Sequence, residues 1–439
     1  MDGSIDSTQS TTAPCDIESH SSSCLPNRYL RVLQIADIHV DFFYDFGSEA
    51  DCQGSVCCRW PNKTNIRKIK QRAGYWGSIA KCDIPYRTLE HMLRHIKENE
   101  KIDYIMMSGD LLDHFDWEYS VKHHAEGIRN ITTTFKDIFP STPVYWAIGN
   151  HEGNPVNSFA PRTSAPQAFW PTDAYGRLVN MNKPWIKEDE YQNGNPSGSW
   201  STLITPGLRL ISINTGFCIT TNFFLYLNQS DPEGTMSWFA AQLHKAEIKG
   251  ENVHVMAHIP PGYTDCLEGW SRNYYRIVQR FHKTITGQFF GHVHYDYFTV
   301  FYADMNDIRS EPISVAYASP STTTFDYLNP AHRIYTIDRQ NEFAITDFDS
   351  FYADLTQTSE QTPPDWKLLY SPREQYGMRD LSPQSWNDVI NDILNNKTRK
   401  EEFLRLSYRT PNPHCNHACQ RGLLCLLRSG HHNDTLYCP

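Results

Sequence analysis

Tyr29-Leu30-Arg31-Val32-Leu33-Gln34-Ile35-Ala36-Asp37-Ile38-His39 is the stretch that decides how this chain is read. An apolar run of strand length stops at an aspartate and a histidine spaced two apart, on what reads as the loop beyond a buried strand. The same arrangement returns four times. Tyr104–Ser108 precedes Asp110, Val144–Ile148 precedes Asn150-His151-Glu152, Val253–Ala257 precedes His258, and Gln288–Phe290 precedes Gly291-His292-Val293-His294. A further apolar run covers Leu208–Ile213, and helical patterns lie between the runs at Tyr86–Asn99, Val121–Phe139 and Met236–Lys249. Strand alternating with helix predicts an α/β sheet covered by helices, with ligands gathering beyond the strand ends.

After Tyr297 the pattern changes to closely spaced β runs, Phe298–Tyr302, Ile313–Ala318, Arg333–Ile337 and Phe343–Phe348. These predict a second sheet packed on the first, giving a four-layer αββα sandwich. Residues 1–28 are rich in serine and threonine and read as a flexible lead-in. The catalytic region is expected over 29–371, followed at 372–439 by a small helical, disulfide-stapled region with helices at Ser385–Asn395 and Arg399–Tyr408.

The side chains at the strand ends imply a pair of metal ions. Asp110 is the candidate bridge, because one carboxylate can give an oxygen to each ion. Asp37, His39 and His294 would complete one ion, and Asn150, His258 and His292 the other. The spacing across His292-Val293-His294 suits a strand end in which both rings point to one side. Four imidazoles among seven ligands favour two zinc ions over calcium or magnesium. Leu111-Leu112-Asp113 after Asp110 offers no tyrosine for a redox metal. A zinc pair lowers the pKa of a water toward about 7 and so makes it a nucleophile for a phosphate ester. A departing alkoxide then needs a proton, and His151 and His114 are the candidate donors, with Glu152 or Asp113 orienting a ring. His254 reads as structural. Ligand histidines must be neutral, so metal affinity is expected to fall as pH drops.

A net charge of −10 over 439 residues gives no electrostatic reason to bind nucleic acid. Twelve cysteines, ten of them grouped locally at Cys52, Cys57, Cys58 and Cys82, at Cys218 and Cys266, and at Cys415, Cys419, Cys425 and Cys438, read as disulfides of an oxidising compartment. A zinc ribbon is the competing reading for Cys415 and Cys419. Cys15 and Cys24 could pair with each other in the lead-in. Sequons at Asn62, Asn130, Asn228, Asn396 and Asn433 agree with a secreted or lumenal protein. No run of 18 apolar residues predicts a transmembrane anchor. Met1-Asp2-Gly3-Ser4-Ile5 shows no signal-peptide core, so the sequence reads as a mature or partial chain.

Further motifs carry a resemblance. They include Asp51-Cys52, Cys57-Cys58-Arg59, Ala73-Gly74-Tyr75-Trp76-Gly77 and Lys81-Cys82-Asp83. Downstream stand Pro155-Val156-Asn157-Ser158-Phe159, His258-Ile259-Pro260-Pro261-Gly262, Trp270 with Asn273-Tyr274-Tyr275-Arg276, and Gln288-Phe289-Phe290-Gly291-His292. From about residue 30 onward the chain resembles the acid sphingomyelinase group of the calcineurin-like metallophosphoesterases. The resemblance implies the metallophosphoesterase sandwich and a dizinc phosphodiesterase cleaving sphingomyelin to ceramide and phosphocholine, in an acidic lysosomal lumen or outside the cell. It implies the seven ligands above, with His114 and His151 protonating the leaving group, and Asn157 in substrate binding. It also implies the disulfides Cys52–Cys57, Cys58–Cys82, Cys218–Cys266, Cys415–Cys419 and Cys425–Cys438. The family's N-terminal saposin-type domain has no counterpart in the polar lead-in, so Trp60, Tyr75, Trp76, Phe115 and Trp117 are the candidates for touching membrane or lipoprotein lipid. Thr221 and Phe325 stand where the family suggests a glutamate and a tyrosine near the choline group, so a soluble diester such as a nucleotide is the alternative substrate.

Overall fold

The computed structural model describes residues 27–60, 69–118, 120–167, 185–186, 197–410, 415–432, 434 and 438. Cys15, Cys24, Asn62 and Asn433 lie outside the described residues. Two six-stranded sheets form the centre. In the first, β1 (Tyr29–Ile35), β4 (Tyr104–Met107) and β5 (Val144–Trp146) run parallel. On the other side of β1, strands β12 (Ala331–Asp338), β13 (Ala344–Ala353) and β14 (Trp366–Tyr370) continue antiparallel. The second sheet has the order β10 (Tyr297–Tyr302), β11 (Pro312–Ala318), β9 (Ile285–Phe290), β8 (Asn252–Ala257), β7 (Leu208–Ile213), β6 (Trp200–Thr205). Its four inner strands are parallel and its two edges antiparallel. A two-residue pair, β2 (Val40–Asp41) with β3 (Ile84–Pro85), braces the loop after β1.

The late β runs do not make up the second sheet, as their sequence suggested. β10 and β11 hydrogen-bond onto the open edge of β9, whereas β12 to β14 hydrogen-bond onto the open edge of β1. Period-2 patterning identifies a strand but carries no information about which free edge it will pair with.

Layering follows from alternation along the strands. Leu33, Ile35, Ile105, Met107 and Trp146 share a core with α1 (Tyr86–Asn99) and α2 (Val121–Ile138). Their neighbours Val32, Tyr104, Met106 and Tyr145 join Leu210, Met256 and Phe289 of the other sheet. α1 buries Leu89, Met92, Leu93 and Ile96, the i, i+3, i+4, i+7 stripe of an amphipathic helix. Ser120 starts α2 by accepting a hydrogen bond from the His123 amide. α3 (Thr235–Lys249) stops at Gly250, which adopts the left-handed conformation glycine tolerates best. α4 (Glu268–Phe281) had no counterpart in the sequence reading, since its buried face is built from Trp270, Tyr274, Val278 and Phe281 among polar residues. β6 and β14 were also missed. His254 is structural, lying 3.3 Å from the Tyr104 hydroxyl and 3.0 Å from the Phe343 carbonyl.

Of the C-terminal helices, α5 (Pro372–Tyr376) packs on β13, α6 (Pro383–Asn395) and α8 (His417–Leu426) pack on the second sheet, and α7 (Lys397–Tyr408) packs on α6. Trp386 packs 4.0 Å from Phe298 in a tilted pair and donates to the Tyr317 hydroxyl at 2.9 Å. Truncating a buried ring of this kind costs about 3–5 kcal/mol. All five disulfides implied by the resemblance are present. Asn130, Asn228 and Asn396 are exposed. Among the described residues, no helix is long and apolar enough to cross a membrane.

His332, on β12, stacks 5.2 Å from Phe351 and is lowered to about 3 by burial, with the His95 charge adding to the effect. The folded chain keeps it neutral while the unfolded chain takes up a proton below about pH 6.5, so its stabilising contribution is intact above that value and is lost as pH falls toward 3. His332→Phe is therefore expected to raise Tm over the native chain by an amount that grows as pH falls below 6.5. Thermal unfolding at two pH values checks this, and a pH-independent difference would refute it.

Candidate metal centre

The seven predicted ligands converge at the carboxyl ends of parallel strands from both sheets. Asp37 and His39 follow β1, Asp110 follows β4, Asn150 follows β5, His258 follows β8, and His292 and His294 follow β9. Five of them hold left-handed backbone, with φ of 47° at Asp37, 42° at His39, 56° at Asp110, 74° at His292 and 64° at His294. Non-glycine residues held there cost on the order of 1–3 kcal/mol each and cluster at functional sites. The last two rings thus reach their places by tight turns, not by the strand alternation read from the sequence. Close approach requires glycine at Gly149, where a Cβ would stand 2.2 Å from Asp110 Oδ1.

Hydrogen bonds fix which ring nitrogen faces inward. His39 Nδ1 donates to the Leu112 carbonyl at 2.8 Å, His258 Nδ1 to the Ser108 carbonyl at 2.7 Å, and His292 Nε2 to Asp265 Oδ2 at 3.0 Å. In the neutral rings the opposite nitrogens therefore present lone pairs. His258 Nε2 lies 2.9 Å from Asn150 Oδ1, 3.0 Å from Asp110 Oδ2 and 3.2 Å from His292 Nδ1. His39 Nε2 lies 3.5 Å from Asp110 Oδ2 and 3.3 Å from His294 Nε2. Acceptors face acceptors on both sides of Asp110, and cations between them are what this donor set fits. Asp110, His258 and His292 form one group able to hold a metal, and His39 belongs to two others, one with Asp110 and His151 and one with His114 and His294.

The charges show that the cluster draws positive charge, which a proton on His258 supplies where no cation lies. Burial opposes ionisation of Asp110, but the His258 and His151 rings outweigh it and hold the carboxyl well below its usual range. Burial likewise opposes charge on His258, yet Asp110 raises it to about 9. Burial and neighbouring imidazoles push His39 and His294 well below the usual range, and burial raises Asp37 to about 7.

His114 and His151 flank the cluster, their ring centroids 3.9 and 4.8 Å from that of His39. Their orienting acids are not Glu152 and Asp113. Asp83 Oδ1 sits 2.8 Å from His114 Nδ1, and Asp116 Oδ1 sits 2.9 Å from His151 Nδ1. Glu152 is engaged elsewhere, accepting from the amides of Gly149, Asp110 and Leu111. Asp113 pairs with Arg59 at 2.6 Å. Burial works against protonated His151, but Asp110 and then Asp116 raise it to about 10, whereas burial and the His151 charge lower His114 to about 3. Asp265 and Asp116 carried no periodic signal in the sequence. Asp83 stood within the Lys81-Cys82-Asp83 motif without a role of its own.

Phe325 stacks on His114 at 4.0 Å. The Asn157 amide binds the Asn150 carbonyl at 3.1 Å. Thr221 is exposed, beside Thr220, whose amide binds the Asp265 carbonyl. Of the five aromatics expected to meet lipid, Trp117 is exposed, while Phe115 lies under the Arg59 guanidinium and Trp76 donates to the Ser359 carbonyl.

Two sheets whose strand ends converge on an aspartate, histidine and asparagine cluster define a metallophosphoesterase. Residues 30–296 match the calcineurin-like phosphoesterase family, and residues 306–433 match the acid sphingomyelin phosphodiesterase C-terminal region. The chain is 53% identical to sphingomyelin phosphodiesterase 1 of Caenorhabditis elegans, over 93% of this chain and 72% of that protein. It is 35% and 34% identical to the sphingomyelin phosphodiesterases of Bos taurus and Homo sapiens, over 93% of this chain and 65% of each. The chain belongs to the acid sphingomyelin phosphodiesterase family of calcineurin-like phosphoesterases.

Gly149→Ala is expected to displace Asp110 and strip most bound divalent metal, as elemental analysis would show. Gly422→Ala on α8, where an added Cβ meets nothing within 4 Å, should leave metal content unchanged.

Proposed function

We propose that this chain is a sphingomyelin phosphodiesterase, hydrolysing sphingomyelin to ceramide and phosphocholine at the site built around Asp110. The observation carrying the proposal is that lone pairs converge on both sides of Asp110 in a chain 53% identical to a sphingomyelin phosphodiesterase. Asp37, His39 and His294 would hold one ion and Asn150, His258 and His292 the other, with Asp110 between them. Imidazole-rich ligation favours zinc for both. When bound, such a pair supplies positive charge for phosphoryl oxygens and acidifies a water for attack.

The protein's own groups do the remainder. His151, its amide tied to Asp110 Oδ1 at 2.9 Å and its ring beside Asp116, is placed to give a proton to the ceramide oxygen as it departs. His114, held by Asp83 and covered by Phe325, stands beside it with ring centroids 4.8 Å apart. Five disulfides favour an oxidising compartment, either a lysosomal lumen or the cell exterior.

Purified protein is expected to cleave sphingomyelin in vesicles faster than a nucleotide diester, to lose that activity to a chelator and to regain it with zinc. Faster turnover of the soluble diester would replace the lipid by the alternative substrate. His151→Ala should keep its zinc while kcat falls about 10²–10⁴-fold. An unchanged kcat in that variant would remove His151 from proton donation.

A further inference from the structure

His294 adopts φ 64°, a conformation its side chain disfavours, so its neighbours must hold it there. Its carbonyl oxygen accepts two hydrogen bonds, one from the Ser321 amide at 3.0 Å and one from Arg409 Nη1 at 3.0 Å. Arg409 lies 115 residues further along the chain, at the C-terminal end of α7. Its side chain is fully buried. Its Nε donates to the Asn329 carbonyl at 2.7 Å and its Nη2 to Ser321 Oγ at 3.1 Å, while Asn329 Nδ2 returns a bond to the Arg409 carbonyl at 2.9 Å.

The segment gripped in this way also reaches the other side of the cluster. Thr322 and Thr323 donate their amides to the carbonyls of Ala36 and Asp37, each at 2.9 Å. One guanidinium therefore links the backbone of His294 to the strap that holds Asp37. Taking an arginine out of water to bond only carbonyls and a hydroxyl costs stability that an apolar side chain of similar size would not. Packing alone does not account for it. The same C-terminal region reaches the His292 side as well, where His432 Nδ1 lies 2.5 Å from the Cys266 carbonyl, next to Asp265.

We infer that Arg409 is a positioning residue for the metal centre, setting the turn that aims the His294 imidazole and making the C-terminal helices part of the site. The inference rests on His294 being a ligand, as proposed above. Lysine keeps the charge but lacks the planar fork that reaches three acceptors at once. Glycine removes the side chain while favouring the left-handed cap that Arg409 occupies at φ 54°.

The test measures zinc affinity by chelator competition, with no substrate present, on native protein, Arg409→Lys, Arg409→Gly and His294→Ala, alongside the Tm of each metal-free form. Arg409→Lys is expected to weaken zinc binding about 10–100-fold with little change in metal-free Tm. Guanidinium ion should restore part of the affinity lost in Arg409→Gly. Native affinity in Arg409→Lys, while His294→Ala binds weakly, overturns the inference and leaves the ligand assignment standing. Native affinity in His294→Ala overturns both. Affinity lost only in step with metal-free Tm, and not recovered by guanidinium, reduces Arg409 to a structural residue and also overturns it. Should Arg409→Gly fail to fold, Arg409→Lys decides alone.

Discussion

At the strand ends of the two sheets, His258 Nε2 faces Asn150 Oδ1 at 2.9 Å and His292 Nδ1 at 3.2 Å, and in the neutral rings the proton needed to make a bond there is held on the far side. Such contacts repel until positive charge lies between them. The surrounding fold serves to keep them close regardless. Parallel strands deliver the candidate ligands to one face, tight turns with positive φ aim five of them, and a carbonyl or carboxylate behind the rings of His39, His258 and His292 prevents each from turning away. Strain of this kind persists only where the neighbours over-determine it. Here the neighbours include Glu152 under three amides, the strap from Ser321 to Asn329, and glycines that allow loops to touch.

Acids supply much of this support, each with one task. Asp265 orients His292, Asp83 holds His114, Asp116 stands at His151, and Asp41 with Asp113 grips Arg59. The cysteine-rich insert belongs to the same system. Its Cys58–Cys82 disulfide stands between Arg59 and Asp83, so the covalent link and the carboxylate that holds His114 are neighbours in sequence. A site assembled from so many loops requires rigid connections between them, and here the links are covalent or charged.

The parallel strands and the cluster of candidate ligands at their ends were readable from the sequence, because a run such as Val253–Ala257 ending at His258 carries both signals at once. α1 was readable to the residue, since its stripe of Leu89, Met92, Leu93 and Ile96 is undisturbed. What escaped was pairing and support. Nothing local in Arg333–Ile337 says that its partner is β1. α4 keeps a regular helical spacing across Trp270, Tyr274, Val278 and Phe281, but that face is mostly aromatic, and aromatic residues are weak helix formers. Asp116 and Asp265 gain their roles only from distance in space, which no window of neighbouring residues contains.

The place of β1 in the first sheet has a consequence for biosynthesis. Its Gln34 pairs with Arg333, roughly 300 residues later. At ribosomal speeds of about 5–20 residues per second, β1 waits roughly 15–60 s for its antiparallel neighbour to emerge. Throughout that interval an apolar strand edge stands open, which is the condition under which a nascent chain most needs a chaperone.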